Sequence, residues 1–192
     1  MAQRQQTVNI MELTEDGDWL VDVRRVLSPN CDERPAPGVI SLIVVHGISL
    51  PPGEYGGPWI DDFFTNRLDV TAHPYFAEIA DLRVSSHLLI RRDGELVQYV
   101  PFSRRAWHAG KSCFRGREAC NDFSIGIELE GQDETSYEPA QYRQLARVIR
   151  LLRTHHPEIG AQDIVGHADI APGRKTDPGF AFDWERLHVL LA

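Results

Sequence analysis

The sequence predicts an α/β fold in which helices flank a central mixed β-sheet. A run of β-branched and apolar residues at 39–45, bounded by proline and glycine, has the composition of a buried strand. Strand-like segments at 86–91 and 95–100 flank the Asp-Gly pair at 93–94, which favours a two-residue hairpin turn. Apolar residues then recur at helical spacing over 142–152. Strands that interleave with helices and include one hairpin are typical of a mixed sheet.

The N-terminal half contains further elements with weaker patterns. Residues 1–35 resemble an irregular lead-in, with a short strand or turn at 18–23. Residues 47–74 show no periodicity, but clusters of proline and glycine stand among aromatic residues. We therefore expect a packed loop that walls a cleft. A second apolar strand is predicted at 123–129.

The C-terminal third is predicted to contain two helices and one more strand. Pro139 suits the first position of a helix, and the His-Pro pair at 156–157 ends it. A short strand at 163–165 runs directly into residues 166–179, which are rich in proline and glycine. We expect this segment to be a rigid loop without helix. Apolar spacing over 184–191 indicates a final helix.

Length, composition and charge limit the classes of function. The chain of 192 residues is long enough for one sizeable core, so we assign residues 1–192 to one domain. The net charge of −8 disfavours nonspecific binding to nucleic acid or acidic membranes. No stretch approaches the roughly 20 apolar residues of a membrane span, and the polar start lacks a signal-peptide pattern. Three cysteines without C-x-x-C spacing fit a reducing compartment. We therefore expect a cytoplasmic monomer that binds neither nucleic acid nor membrane.

The segment at 166–179 holds several reactive side chains. His167 and Asp177 are common types of zinc ligand, and Lys175 can stabilise a developing oxyanion. Asp169 is a further candidate ligand by residue type. This combination indicates metal-assisted hydrolysis, which requires a third ligand and a base from elsewhere in the chain.

Two polar residues that close apolar strands are candidates for these roles. His46 follows the buried run at 39–45, and Glu128 follows the run at 124–127 within the predicted strand. Strand ends are well placed at a cleft, where a carboxylate beside a metal can act as a general base. At such positions a hydrogen-bonded structural histidine and a solvated edge glutamate are the more common outcomes. No H-E-x-x-H zinc motif is present, so spacing alone leaves both interpretations open.

Longer blocks of sequence match the pattern of a known family. These blocks, in chain order, lie at residues 41–58, 72–76, 89–94, 105–110, 121–131 and 174–179. They resemble the AmpD-type N-acetylmuramoyl-L-alanine amidases, and the resemblance extends from about residue 17 to residue 190. Because several long blocks match in order, this signal is far more specific than a single motif.

The resemblance implies a zinc amidase with the fold that bacteriophage T7-type lysozymes share with peptidoglycan-recognition proteins. His46, His167 and Asp177 are the implied zinc ligands. Glu128 is the implied catalytic carboxylate, and Lys175 is the implied charge-stabilising residue. The implied substrate is the recycling muropeptide 1,6-anhydro-N-acetylmuramoyl-L-alanyl peptide, which is cut between the lactyl carbonyl and L-Ala.

Residues outside this set are candidates for substrate contact. Trp107 and His108 are expected to line the groove for sugar and peptide, and Arg83 to pair with a peptide carboxylate. A solvated surface arginine is the alternative for Arg83. The chain departs from the family at Gly47, where asparagine is frequent, and at Ala119, where many members have arginine. We expect these departures to change sugar or peptide recognition and to leave the ligand geometry intact.

Two other functions are compatible with the same fold. A non-catalytic module that holds muropeptide without cutting it needs neither an open zinc position nor a base. An exported autolysin that acts on intact cell wall needs a route out of the cytoplasm. Both therefore agree less well with the sequence than a cytoplasmic zinc amidase.

Overall fold

A computed structural model describes residues 11–192, so the first ten residues of the predicted lead-in lie outside the described part. The strands within it are β1 (Arg24–Arg25), β2 (Cys31–Glu33), β3 (Leu42–Ile48), β4 (Leu88–Ile90), β5 (Leu96–Gln98), β6 (Arg104–Ala106), β7 (Cys113–Phe114), β8 (Arg117–Glu118), β9 (Ser124–Glu130) and β10 (Ile164–Gly166). The α-helices are α1 (Trp59–Phe64), α2 (Pro74–Glu78), α3 (Pro139–His155), α4 (His167–Ile170) and α5 (Trp184–Leu191).

Six of these strands form the central sheet, in the order β1-β5-β4-β9-β3-β10. The β4, β9, β3 and β10 strands run parallel to one another, whereas β5 is antiparallel to β4. The sheet is therefore mixed, and the predicted α/β architecture is confirmed. Two small antiparallel pairs, β2 with β6 and β7 with β8, lie outside the central sheet.

The strongest sequence patterns correspond to observed elements. The predicted hairpin is formed by β4 and β5, and α3 begins at Pro139 as expected. The Glu138 N–H donates a hydrogen bond of 2.9 Å to Gln141 Oε1, which satisfies a backbone donor at the start of α3. The same glutamine donates from Nε2 to the carbonyls of Ile90 and Glu130. Gln141 thus fixes the start of the helix against the ends of β4 and β9.

The two faces of the sheet differ because successive residues of a strand point to opposite sides. Ile43 of β3 and Ile125 and Ile127 of β9 lie on one face, in the main hydrophobic core with α3. His46 and Glu128 fall on the other face. They are partners in the register of β3 with β9, so their side chains stand next to each other on adjacent strands.

Two segments that were predicted as loops contain short helices, so these predictions were wrong in part. Residues 47–74 contain α1, and α2 begins where that segment ends. The segment 166–179 contains the one-turn helix α4. The Asp169 side chain stabilises its start by accepting a hydrogen bond of 2.7 Å from the Gly166 N–H. A helix of one or two turns is too short to produce a periodic pattern in the sequence.

The described part of the predicted lead-in is less irregular than expected. The β1 strand adds a parallel edge to β5, and β2 pairs with β6. An isolated bridge joins Leu13 to Leu20. These strands have two or three residues each, which is below the length at which alternation is visible in sequence.

Candidate metal centre

Three side chains from distant parts of the chain converge on one point. His46 Nδ1 lies 3.0 Å from His167 Nδ1 and 3.1 Å from Asp177 Oδ2. The distance from His167 Nδ1 to Asp177 Oδ2 is also 3.1 Å. Tetrahedral zinc bonds of about 2.0–2.2 Å put neighbouring ligand atoms about 3.4 Å apart. The triangle of donor atoms therefore has the size and chemistry to fit one metal ion.

The sheet brings the two histidines together. Because β10 pairs in parallel with β3, Gly166 lies opposite Val45, and the residue that follows each of them is a histidine of the donor triangle. His167 therefore enters α4 beside His46 at the carboxyl end of the sheet. The Ala168 N–H donates a hydrogen bond of 3.0 Å to the Asp177 carbonyl, which folds the following loop back onto α4. Asp169, the alternative carboxylate, is instead occupied at the start of that helix.

Burial and hydrogen bonds set the charge states of His46 and Asp177. Burial lowers the pKa of His46 to about 4, although its hydrogen bond with Asp177 opposes this shift. Burial of Asp177 acts to raise its pKa, but hydrogen bonds with His167 and His46 outweigh it and hold the pKa well below the usual range. A buried neutral imidazole keeps a lone pair available. His46 and Asp177 are therefore in the neutral and ionised forms that binding of a divalent cation requires.

Glu128 stands beside this triangle and differs from its neighbour on the strand. Glu130 accepts hydrogen bonds from Arg91 at 3.0 Å and from backbone amides, so it is fully paired. Within residues 11–192, Glu128 has no hydrogen-bonded or ion-paired partner, yet only 8% of it is exposed. Burial and the charge of Asp177 raise its pKa well above the usual value. A buried, unpaired carboxylate with a raised pKa is suited to proton transfer.

A cleft of about 270 Å³ contains these groups together with Lys175. Its polar end holds the three donor atoms, Glu128 and the lysine. Its other wall is apolar and includes Leu50, Phe63 and Phe64 from the segment between β3 and α2. The expectation that residues 47–74 wall a cleft is therefore confirmed.

Tyr75 also lines this cleft, and sequence reasoning did not single it out. It lies on α2, and His73 caps that helix by accepting a hydrogen bond of 3.1 Å from the Tyr75 N–H. The available signal was the matching block at residues 72–76, which contains both residues.

The predicted substrate contacts lie at different distances from the cleft. His108 is at its base, directly behind His46, with Nδ1 2.9 Å from His46 Nε2. Trp107 does not line it and donates from Nε1 to Asp32 Oδ1 at 3.1 Å. Arg83 is exposed, borders a separate small pocket and donates to the carbonyls of Ala80 and Leu82. Roles for Trp107 and Arg83 in binding stay predictions.

The two positions that depart from the family pattern lie in different places. Gly47 lines the cleft, and a Cβ atom there would collide with the Tyr137 hydroxyl. Ala119 has a φ of 56° and lies in a neighbouring pocket of about 420 Å³ that also contains Arg174. The absence of a side chain at Gly47 is thus coupled to the presence of Tyr137.

Comparison with known proteins agrees with this geometry. The family model described as N-acetylmuramoyl-L-alanine amidase (Amidase_2) matches residues 36–180, which contain the whole donor triangle. The chain belongs to this family. It is therefore a hydrolase of the amidase class, and the predicted AmpD-type resemblance is confirmed.

Individual relatives are similar over almost the whole chain. The 1,6-anhydro-N-acetylmuramyl-L-alanine amidase AmpD of Escherichia coli K12 is 64% identical over 180 residues, covering 94% of this chain and 97% of that protein. A crystal structure of a selenomethionine AmpD derivative superposes with a TM-score of 0.91 at 62% identity, covering 95% of this chain and 100% of the other. The amidase AmiD of E. coli, in complex with anhydro-N-acetylmuramic acid-L-Ala-D-γ-Glu-L-Lys, has a TM-score of 0.58 at 30% identity, covering 94% and 65%.

Proposed function

We propose that this amidase is zinc-dependent and cuts the bond between the N-acetylmuramoyl lactyl group and L-Ala in 1,6-anhydro-muropeptides, as a step of peptidoglycan recycling. The observation that carries the proposal is the convergence of His46, His167 and Asp177 at the polar end of the cleft. The substrate class is supported by the AmpD relatives, whose name specifies the 1,6-anhydro sugar.

Zinc suits this donor set. Two imidazole nitrogens and one carboxylate oxygen match the three-ligand sets of catalytic zinc sites, which leave one position open. When bound, zinc supplies Lewis-acid chemistry at the scissile carbonyl and allows water to act as a nucleophile near neutral pH.

Glu128 and Lys175 are assigned the remaining chemical steps. Glu128 accepts the proton of the attacking water and then delivers it to the leaving nitrogen of L-Ala, a role that its raised pKa favours. The ammonium group of Lys175 faces the same cleft and stabilises the oxyanion of the tetrahedral intermediate. A single donor in that role typically contributes about 3–4 kcal/mol.

The two ends of the cleft bind different parts of the substrate. The polar end takes the scissile amide, and the apolar wall of Leu50, Phe63 and Phe64 takes the less polar parts of the sugar or peptide. The anhydro-muropeptide complex of AmiD supports binding of this substrate class by the fold. His108 keeps its predicted assignment as a candidate contact at the base of the site. Arg83 and Trp107 keep theirs as proposals, although neither lines the cleft.

We also propose a cytoplasmic location and a monomeric state, with residues 1–192 forming one domain. Cys31, Cys113 and Cys120 are free thiols, which agrees with a reducing compartment. Within residues 11–192, the helices are too short or too polar to cross a membrane. All five proposed active-site residues line one cleft of this chain, which is compatible with a monomer.

The test is an assay with two substrates. Purified protein is incubated with 1,6-anhydro-N-acetylmuramoyl tripeptide or with intact peptidoglycan, and released peptide is quantified with and without a chelator. We expect rapid release from the anhydro-muropeptide, loss of release with the chelator and recovery with Zn²⁺. Preference for intact peptidoglycan would point to the autolysin instead. Binding without release would point to the non-catalytic module, and chelator-resistant release would exclude the metal role.

A further inference from the structure

Both histidine ligands face the donor triangle with Nδ1, and this orientation restricts their protons. A neutral imidazole carries one N–H, so a free lone pair on Nδ1 requires the proton to sit on Nε2. Each Nε2–H then needs an acceptor behind the ligand. The structure provides both acceptors from two consecutive residues, His108 and Ala109. His46 Nε2 lies 2.9 Å from His108 Nδ1, and His167 Nε2 lies 3.4 Å from the Ala109 carbonyl. Arg174 Nη2 is also 3.4 Å from His167 Nε2, but its much shorter contact is with the Ala109 carbonyl.

A serine determines the direction of the hydrogen-bond chain behind His46. The Ser124 hydroxyl donates its only proton to the Cys120 carbonyl at 2.6 Å. Its oxygen can therefore only accept from His108 Nε2, which lies 3.1 Å away. With its proton on Nε2, a neutral His108 presents a lone pair on Nδ1, and that lone pair accepts the His46 Nε2–H. In this tautomer His46 Nδ1 carries no proton and is directed at the donor triangle, where it can bind a metal in place of its hydrogen bond with Asp177.

We propose that the His108–Ala109 segment is the positioning element for both histidine ligands. Ser124 determines which ring nitrogen of His108 carries the proton. This inference rests on the proposed metal site. It assigns His108 a role that acts through His46, in addition to any contact with substrate. Partners behind metal-bound histidines fix the tautomer and the ring orientation, and their loss typically weakens metal binding about 10–100-fold.

The surrounding structure is arranged to hold this segment in one position. The Asn121 side chain accepts hydrogen bonds from the N–H groups of both His108 and Ala109, at 3.1 and 2.8 Å. Arg174 Nη2 donates to the Ala109 carbonyl at 2.6 Å. The β9 strand has no side chain at Gly126, where a Cβ would lie 2.5 Å from His108 Cγ. A glycine inside a strand usually weakens it, so this glycine is explained by the space that the imidazole ring needs.

The test compares two substitutions of similar size at one position. His108→Asn keeps an acceptor oxygen close to the position of Nδ1, whereas His108→Leu fills similar space without any acceptor. The dissociation constant for Zn²⁺ is measured on metal-free protein by competition with a chromophoric chelator, and melting of the metal-free variants checks the fold. We expect His108→Leu to weaken Zn²⁺ binding about 10–100-fold. His108→Asn should stay within about threefold of the native protein, a difference below 1 kcal/mol.

Other outcomes distinguish a failure of this inference from a failure of the proposed function. Equal affinity of the Leu variant and the native protein would show that His108 only fills space, and would overturn the inference alone. Native protein that binds no Zn²⁺ would overturn the metal proposal and this inference with it. If His108→Leu does not fold, Ser124→Ala provides the test. This variant leaves the imidazole of His108 in place and removes the hydroxyl that keeps its proton on Nε2. Weaker Zn²⁺ binding by folded Ser124→Ala supports the inference, and unchanged binding contradicts it.

Discussion

Tyr137 donates a hydrogen bond of 2.9 Å to the carbonyl of Pro178, the residue that follows the candidate ligand Asp177. The tyrosine is buried and packs edge-on against Phe182. Its ring fills the space above two glycines, Gly47 and Gly131, where any Cβ would collide with it. One side chain therefore connects the end of β3 to the loop that carries the third donor atom.

Removal of this hydroxyl should destabilise the loop. In Tyr137→Phe the buried Pro178 carbonyl loses its donor, so we expect the free energy of unfolding to fall by about 1–2 kcal/mol. Urea titration measures the change. The control is Tyr55→Phe, because within residues 11–192 the Tyr55 hydroxyl has no hydrogen-bonded partner. The control should stay within about 0.5 kcal/mol of the native protein, and equal losses in the two variants would contradict the anchoring role.

The donor triangle predicts which substitutions remove the metal. His167→Ala and Asp177→Ala should each lose both zinc and amidase activity, because two remaining ligands hold zinc poorly. His188→Ala, which removes an exposed histidine of α5, should keep about one zinc per chain. Metal content is measured by elemental analysis after dialysis. Full zinc occupancy in Asp177→Ala would disprove its assignment as a ligand.

The proposed proton carrier and oxyanion residue should separate metal binding from turnover. Glu128→Gln and Lys175→Met remove no ligand, so both variants should keep zinc. Loss of the general base should lower kcat about 10²–10⁴-fold, and loss of the lysine about 10²–10³-fold. Steady-state hydrolysis of anhydro-muropeptide, with metal content determined in parallel, measures both effects. Native turnover by Glu128→Gln would refute its role.

Glu128 and Glu130 should respond in opposite ways to the same substitution in metal-free protein. The pKa of Glu128 is raised above its usual value of 4.5, mainly by burial, so its stabilising contribution is present below that pH and is lost as pH rises through the folded pKa. At pH 7, Glu128→Gln should therefore increase Tm by about 2–4 °C, the shift that about 1 kcal/mol gives in a domain of this size. The gain should vanish near pH 4. Glu130→Gln breaks a buried ion pair with Arg91 and should cost about 3 kcal/mol.

The collision between Gly47 and Tyr137 predicts non-additive substitutions. Gly47→Ala forces its Cβ against the tyrosine hydroxyl and should destabilise the fold by about 1–3 kcal/mol. In a Tyr137→Phe background the colliding oxygen is gone, so the same substitution should cost much less. A double-mutant cycle measured by urea unfolding gives the coupling energy, which we expect to be about 1 kcal/mol. Simple additivity would show that the backbone moves instead.

The pattern of residues was sufficient to predict the larger secondary-structure elements. The hairpin of β4 and β5 and the long helix α3 are determined by local chemistry, namely an Asp-Gly turn and an apolar repeat bounded by prolines. The short helices α1 and α4 were missed because one turn gives no repeat to detect. Their ends depend on individual contacts, such as the Asp169 cap, that only folding creates.

The sequence by itself determined the types of residue in the site and, through the ordered blocks, the family. Residue type alone left the choice between Asp169 and Asp177 open, and only the resemblance to the family favoured Asp177 and Glu128. Only the tertiary structure showed that Asp169 stabilises the start of α4 and that Glu130 is paired whereas Glu128 is not. The pairing of β10 with β3 and of β3 with β9 places these groups from distant parts of the chain next to each other. The tertiary structure also placed His108 behind His46 and Tyr137 against Gly47. Such contacts depend on register and burial, and neither is encoded in the local spacing of residues.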